Sequence, residues 1–390
     1  MDYDVYLASD SPAPIDPSTL SDVDPAPQFP AGFAEMDGPV AVSADGSSIA
    51  AVKGVAFDGQ NGYRVSVIDT RTGTERVSIP WPYPLETVVL SADGSRLVVG
   101  TMSGTMDLGP GWHLYDTDSG VLLGQISSGA TTETSWAQVL RSWMDPKGER
   151  LYRLMAPVTY PAADPSRQEY LLVDDLVIGE EIGRVDLPAL RAGLMPFPAD
   201  PDSGVLPGVA LSADGRRIAI VHADDERITI VNVEGLVLDR TIDLNRPERA
   251  VEGALTWLGL VPRQASAKGT LGVDFAARFA PDGRYLYVWD RSPERISAEG
   301  DRLPTDRRGL QVIDLTTGTI ITEGLADNQI LDVVPAPDGG SILVIIATAH
   351  DARGQPVTFA LRRVTPDLSQ TAERIFGFEP HVAIVMRHMS

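Results

Sequence analysis

There is no cysteine in these 390 residues. Disulfides, thiol catalysis and cysteine-ligated zinc are therefore excluded, and the composition suits an exported protein as well as an internal one. Lysine is almost missing: of 32 basic residues only Lys53, Lys147 and Lys268 are lysine, against 54 acidic ones, for a net charge of −22. Such a surface repels phosphate backbones and anionic lipid, so nucleic acid is not an expected partner. Its first use is solubility; a cationic partner is the sharper reading. Aromatic residues are 6% of the chain and are not interleaved with basic ones, which removes a stacking platform for bases. No apolar run reaches the roughly 18 residues of a membrane-spanning helix, so membrane insertion is not expected. Met1-Asp-Tyr-Asp-Val-Tyr6 has neither a basic n-region nor an apolar h-region and is not a signal peptide. The chain is expected to be cytoplasmic, or extracytoplasmic (periplasmic, cell-surface or secreted) if a leader has been removed. Gly-x-Ser-x-Gly, Gly-x-x-x-x-Gly-Lys and His-Glu-x-x-His are all absent.

Turn-forming residues are abundant, with 36 glycines and 30 prolines, and 43% of the chain is hydrophobic. One phrase occurs six times. Ser43-Ala-Asp-Gly46, Ser91-Ala-Asp-Gly94, Asp145-Pro-Lys-Gly148, Ser212-Ala-Asp-Gly215, Ala280-Pro-Asp-Gly283 and Ala336-Pro-Asp-Gly339 each precede an apolar run. Each reads as strand, tight turn, strand. A second phrase follows in most units: Val65-Ser-Val-Ile-Asp-Thr-Arg-Thr-Gly73, Trp112-His-Leu-Tyr-Asp-Thr-Asp-Ser-Gly120, Ile228-Thr-Ile-Val-Asn-Val-Glu-Gly235 and Leu310-Gln-Val-Ile-Asp-Leu-Thr-Thr-Gly318. Each is an alternating strand that ends in a turn, and a fourth apolar stretch comes after it. The fold class is therefore all-β. Four antiparallel strands per repeat, repeated around a ring, are the blades of a β-propeller, which overrides the length prior of two or three domains of about 150 residues each.

The paired phrases resemble the YVTN-type β-propeller repeat family, over about residues 38–378. The turn phrase alone is shared with TolB-like and prolyl-oligopeptidase-type propellers; Val-Ile-Asp-x-x-Thr-Gly makes it more specific. WD40 repeats, the other relatives, carry their Trp-Asp on the third strand of a blade, whereas Trp289-Asp290 ends a second strand. No hydrolase domain lies within these 390 residues, so an enzyme of the prolyl-oligopeptidase type is not expected. The resemblance implies a scaffold of the exported kind with an unassigned binding role. Six blades are explicit. Strands at Val5–Ala8 and His381–Met386 either close the ring by joining the termini or add a degenerate seventh blade. Residues 1–37 form a terminal strand and Pro-rich linker, the linker expected to be extended or disordered. Residues 38–390 form one propeller domain.

Turn order separates two faces. The Asp-Gly turns join the first and second strands of a blade, a and b, and the Thr-Gly turns join the third and fourth, c and d. Both lie on one side of the disc, short and uniform. The length variation falls on the other side, in the b–c loops Thr101–Gly111, Pro157–Arg167, Asp290–Arg308 and Ala349–Pro356 and the d–a links Pro188–Pro207 and Asn245–Thr270. Long loops on a rigid scaffold are where binding usually sits. One short helix is expected in the last of these links. Asn245 would cap it and Pro247 would sit in its first turn, with Val251, Leu255 and Leu258 on one stripe and Trp257 beside it. It would cover the rim, form a lid over the mouth, or dock a partner.

Innermost strands line the channel, and a charge there must be paired or wet. Glu86, Arg141, Asp274, Arg278 and Asp332 fall on them. They read either as inter-blade ion pairs, Glu86 with Arg141 and Arg278 with Asp332, or as a polar mouth gripping a small anionic or zwitterionic ligand. His222 ends a b strand and His350 opens a b–c loop, so both are expected on the variable side; His222 and Trp257 join the candidate mouth. The five histidines show no triad or metal spacing, so no catalytic residue, metal site or cofactor is assigned. The acidic clusters lack the EF-hand register, and a loop or channel calcium ion stays an open alternative. The repeated aspartates are turn formers.

The leading expectation is a non-enzymatic propeller that binds a protein, peptide or small molecule through its loop-rich face and channel mouth. Two alternatives stand beside it. One is a lactonase-like hydrolase with a metal or a His/Arg/Glu site at the mouth; the other is a structural module of an exported or cell-surface assembly. Oligomeric state is open.

Overall fold

The computed structural model describes residues 3–8, 13–15, 20, 40–57, 60–83, 85, 87–101, 111–126, 135–159, 168–192, 205–223, 227–244, 273–291, 295–296, 302–303, 309–350, 356–376 and 383–388. Two strands, β1 (Tyr3–Ala8) and β2 (Ala13–Ile15), precede the repeats. Blade 1 is β3 (Val40–Val42), β4 (Ser48–Phe57), β5 (Gln60–Asp69) and β6 (Glu75–Trp81). Blade 2 is β7 (Thr87–Leu90), β8 (Arg96–Gly100), β9 (Trp112–Asp116) and β10 (Leu122–Ile126). Blade 3 is β11 (Ser135–Met144), β12 (Arg150–Thr159), β13 (Tyr170–Asp175) and β14 (Glu180–Asp186). After the short β15 (Val205–Leu206), blade 4 is β16 (Gly208–Leu211), β17 (Arg217–Val221), β18 (Arg227–Asn232) and β19 (Val237–Asp243). Blade 5 begins with β20 (Val273–Phe279) and β21 (Tyr285–Asp290). A small hairpin, β22 (Arg295–Ile296) and β23 (Arg302–Leu303), interrupts it before β24 (Leu310–Asp314) and β25 (Thr319–Gly324). Blade 6 is β26 (Gln329–Pro335), β27 (Ile342–His350), β28 (Pro356–Val364) and β29 (Gln370–Phe376), and β30 (Ala383–His388) ends the series.

The chain thus folds as a propeller of six four-stranded antiparallel blades. The termini settle the question left by the two extra strands. β30 pairs antiparallel with β1 along its whole length, β1 pairs with β2, and β30 lies against the innermost strands β26 and β3. A three-stranded sheet built from both ends of the chain therefore stands between blades 6 and 1. The Pro-rich segment takes part in it, contrary to the expectation that its prolines interrupt pairing. Pro14 sits opposite Tyr6, and β2 is an edge strand, where a missing N–H costs no ladder bond. Leu20, from the same segment, is 1% exposed and packs among Leu343, Ile345, Phe359 and Leu361 of blade 6. Among the described residues there is no helix; the one expected after Asn245 lies outside them.

Burial follows the order of strands within a blade. Inner strands are covered on both faces by neighbouring blades, so they read as continuous apolar runs. Ile342 to Ile346 is buried throughout, whereas β19 at the rim is exposed along nearly all its length. The core is divided among the seams between blades. One cluster joins Val98, Trp112 and Leu114 of blade 2 to Leu151 and Met155 of blade 3; another joins Ile228 and Ile230 of blade 4 to Leu286 and Val288 of blade 5.

The repeated aspartates are turn residues. Gly46, Gly94, Gly148, Gly215, Gly283 and Gly339 all have φ between +66° and +70°, which glycine adopts without steric cost. Asp93 Oδ1 accepts hydrogen bonds from the Ser95 N–H at 3.0 Å and from Ser91 Oγ at 2.7 Å; Asp214 does the same with Arg216 and Ser212. Where Lys147 replaces the aspartate, Asp145 substitutes, accepting from the Glu149 and Arg150 N–H groups at 2.6 and 2.8 Å.

These bonds hold the Asp93 and Asp214 carboxylates below their ordinary 3.8. Burial opposes the effect at Asp93 but is outweighed by Ser95 and Ser91, and at Asp214 the Ser212 hydroxyl leads. A carboxylate with a depressed folded pKa contributes stability that is full above its unfolded value and lost as pH falls through the folded one. A double Asp93→Asn, Asp214→Asn variant is therefore expected to lose less stability than the wild type between about pH 4 and pH 2. Circular dichroism across that range checks it, and parallel acid curves would contradict the assignment.

Candidate functional site

Four of the charged residues expected at the channel are described, and they form two ion pairs. Arg141 of β11 bonds Asp274 of β20 through Nη2 and Oδ1. The two residues belong to blades 3 and 5, so the pair passes over blade 4 at the centre of the ring. Arg278 of blade 5 faces Asp332 of blade 6 at 3.7 Å, the consecutive-blade pairing expected from sequence. Glu86, the expected partner of Arg141, and Trp257 lie outside the described residues.

The backbone explains how Arg141 reaches so far. Counted back from each Asp-Gly turn, Arg141, Gly208, Ala276 and Asp332 occupy the same register position on four consecutive innermost strands. Gly208 and Ala276 leave the middle of that arc without bulk. A Cβ on Gly208 would come within 3.1 Å of the Ala276 carbonyl carbon, so glycine also lets β16 approach β20. Bulges sit one residue before Arg141 and before Asp332, and such bulges re-aim side chains. β15 runs parallel to β20, pairing Leu206 with Asp274. That ladder fixes the acidic partner from its other side.

Around the pair lies a polar set that the charge pattern did not reveal. The Asp274 carbonyl accepts from the Arg291 N–H at 2.7 Å, and the Arg291 carbonyl accepts from Gln329 Nε2 at 3.2 Å. His350 Nε2 then meets Gln329 Oε1 at 3.0 Å. Arg291, Gln329 and His350 stand where β21, β26 and β27 meet the b–c side, so His350 is on the variable face as expected. Burial lowers the Arg141 guanidinium from its usual value, Asp274 opposes this, and the positive Arg291 adds to it. Arg141 and Asp274 each keep 27% side-chain exposure, so solvent reaches both.

His222 is differently placed. It is 1% exposed, with Nε2 at 2.9 Å from Thr229 Oγ1 inside blade 4, and so does not line the mouth. His113 is held edge-on to Trp81 at 5.1 Å with Nδ1 at 3.1 Å from Tyr115 Oη, and burial lowers its pKa. Among the described residues no group of three or more His, Asp or Glu side chains has metal-binding geometry. No helix among them is long and apolar enough to cross a membrane.

Most of the loops expected to vary, including 102–110, 160–167 and 245–272, lie outside the described residues.

No family model matches the sequence, and no curated protein does. Solved structures do match. A proposed 6-phosphogluconolactonase from Bacteroides uniformis superposes with a TM-score of 0.52 at 12% identity, over 99% of this chain and 100% of that one. Dihydro-heme d1 dehydrogenase NirN, in complex with DHE, gives 0.51 at 13% identity over 99% and 75%. The β-propeller domain of Cps50 (Swd1) from Myceliophteria thermophila gives 0.47 at 12% identity over 87% and 86%. At such identities the likeness is one of fold.

Proposed function

We propose that this propeller is a binding module whose channel mouth takes a small anionic or zwitterionic ligand, with Arg141 and Asp274 as its two poles. The pair that passes over blade 4 carries the reading. Blade 3 already packs on blade 4 through one hydrophobic cluster, and blades 4 and 5 are tied along their inner strands by β15, β16 and β20, so a staple from blade 3 to blade 5 adds little. The pair is part-buried, and the cost of burying Arg141 offsets much of its attraction to Asp274. Its fixed placement serves recognition more than stability. A carboxylate or phosphate would take the Arg141 fork in the bidentate manner guanidinium favours, and Arg291 adds positive charge beside it. An ammonium group would complete the match at Asp274. The two turn phrases support a place beside the YVTN-type propellers, as a scaffold rather than a catalyst. The described histidines give a hydrolase reading no added support, since His113, His222 and His350 have Tyr115, Thr229 and Gln329 as partners.

The test is a thermal-shift screen of amino acids, dicarboxylates and sugar phosphates. A ligand at about a hundred times its Kd adds about 2.7 kcal/mol to folding stability. The expected result is a shift in the wild type that Arg141→Ala abolishes, with the melting point of the free protein nearly unchanged. A ligand that shifts both proteins equally would overturn the assignment.

A further inference from the structure

On the Asp-Gly side, away from the mouth, a groove of about 810 Å³ opens between blades 5 and 6. It lies where a regular feature of the ring stops. At the four preceding seams each a–b turn closely approaches the next, and at three of them a hydrogen bond joins the two. Asp45 N–H donates to the Ala92 carbonyl at 3.0 Å, Arg96 Nη1 to Gly148 at 2.9 Å, and Arg217 Nη2 to Gly283 at 3.0 Å. A Cβ on Gly148, Gly215 or Gly283 would come within 2.8, 2.7 or 2.8 Å of Arg96, Pro146 or Arg217 of the blade before, and one on Gly94 would strike Ser48. A Cβ on Gly339 would meet nothing within 4 Å. The cause is in the sequence. Ser48, Arg96, Arg150 and Arg217 stand two residues after their turn glycines, and the long arginine is replaced by Tyr285 in blade 5. The sixth turn also carries a second glycine, Gly340, where the others have Ser47, Ser95, Glu149, Arg216 and Arg284.

The groove has an apolar floor and an acidic rim. Tyr285, Tyr287, Val312 and Ile321 of blade 5 line it, and Ile321 is 54% exposed. Asp282, Asp338 and Asp367 stand along its edge. Each commits Oδ1 to its own turn, through the N–H of Arg284, Gly340 and Ser369, while Oδ2 accepts no hydrogen bond among the described residues. Arg284, the cation beside them, is engaged with Asp314 at 2.6 Å. The charge complement missing from this edge is positive.

We propose that the groove between blades 5 and 6 binds an extended peptide segment of a partner protein in which arginine or lysine lies next to an aliphatic residue. The aliphatic side chain covers Tyr285 and Ile321, and the cations meet the three aspartates. This site is independent of the channel mouth.

Panning a phage-displayed library of linear dodecapeptides against the intact protein tests it. Enriched peptides are expected to share a basic residue beside Leu, Ile or Val. A synthetic copy of an enriched peptide should bind about tenfold more weakly to the Asp282→Asn, Asp338→Asn, Asp367→Asn variant, the loss of three exposed charge pairs. Asparagine keeps the Oδ1 acceptor, so the turns should hold. Tyr285→Arg is the second arm. It should restore the seam, abolish peptide binding and leave the melting point unchanged or higher. Arg141→Ala should bind the peptide normally. No enrichment, enrichment without basic residues, equal binding to both groove variants, or loss in Arg141→Ala would each overturn the proposal. So would a dimer in sedimentation that Tyr285→Arg dissolves, which would give the groove to a second copy of the chain.

Discussion

Replacing Asp174 with asparagine should cost about 3–5 kcal/mol of folding stability, the usual loss when one partner of a buried ion pair is removed. Arg153 and Asp174 face each other across β12 and β13, with two parallel bonds of 2.6 Å and only 4% and 1% side-chain exposure. Two charges so far from water are tolerated because the fork matches the carboxylate bidentately. Asparagine leaves a guanidinium with no counter-charge in the same dry site. The companion experiment separates pairing from packing. Arg153→Met with Asp174→Leu removes both charges at similar volume and should recover most of the loss, because apolar replacements for buried pairs are often neutral or better. Urea unfolding of the three proteins is the measurement. A single-variant loss below about 1 kcal/mol would mean that water reaches the pair.

Trp112→Ala should have an effect of similar size, about 3–5 kcal/mol, the range for deleting a large buried aromatic. Trp112 is fully buried in β9 of blade 2, and the Arg153 guanidinium of blade 3 lies 4.3 Å from its ring centroid. The indole closes the seam between the two blades and covers one side of the ion pair. On its other side a Cβ at Gly100 would collide with the ring. Glycine at 100, tryptophan at 112 and arginine at 153 therefore form one stack. The losses from Trp112→Ala and Asp174→Asn should be non-additive, by at least about 0.5 kcal/mol in a double-mutant cycle. Strict additivity in urea would show that the indole only fills space.

The blades were legible because their signal is local. Each turn needs one glycine at positive φ and one short acceptor, and these recur at fixed offsets from the apolar runs. Asp145 shows why the third repeat survives Lys147: the acceptor moved two residues, while Gly148 stayed. Closure of the ring was legible only as alternatives, since pairing of β1 with β30 spans nearly the whole chain and no short-range pattern encodes it. Proline content misled at Pro14, which an edge strand accommodates.

The candidate mouth was partly legible. Charged residues on innermost strands drew notice to Arg141, Asp274, Arg278 and Asp332, and the Arg278–Asp332 pair follows from strand order. The partnership of Arg141 with Asp274 does not, because it depends on small residues, Gly208 in the blade it crosses and Ala276 on Asp274's own strand. His222 misled in the same way, since its place after β17 suits the mouth while its side chain turns inward to Thr229. The groove was written in the chain as an exception to the repeat, with tyrosine where blades 2, 3 and 4 carry arginine and a doubled glycine in the sixth turn.

The central claim is that Arg141 and Asp274 are poles of a ligand site rather than a staple between blades. Calorimetric titration with the best ligand of the thermal-shift screen tests it most directly, on the wild type, on Arg141→Ala, and on the groove variant Asp282→Asn, Asp338→Asn, Asp367→Asn. The account expects binding to the wild type and the groove variant with equal affinity, no measurable heat with Arg141→Ala, and an unfolding free energy for Arg141→Ala within about 1 kcal/mol of the wild type. Undiminished binding by Arg141→Ala, or a loss of several kcal/mol in its stability, would contradict it.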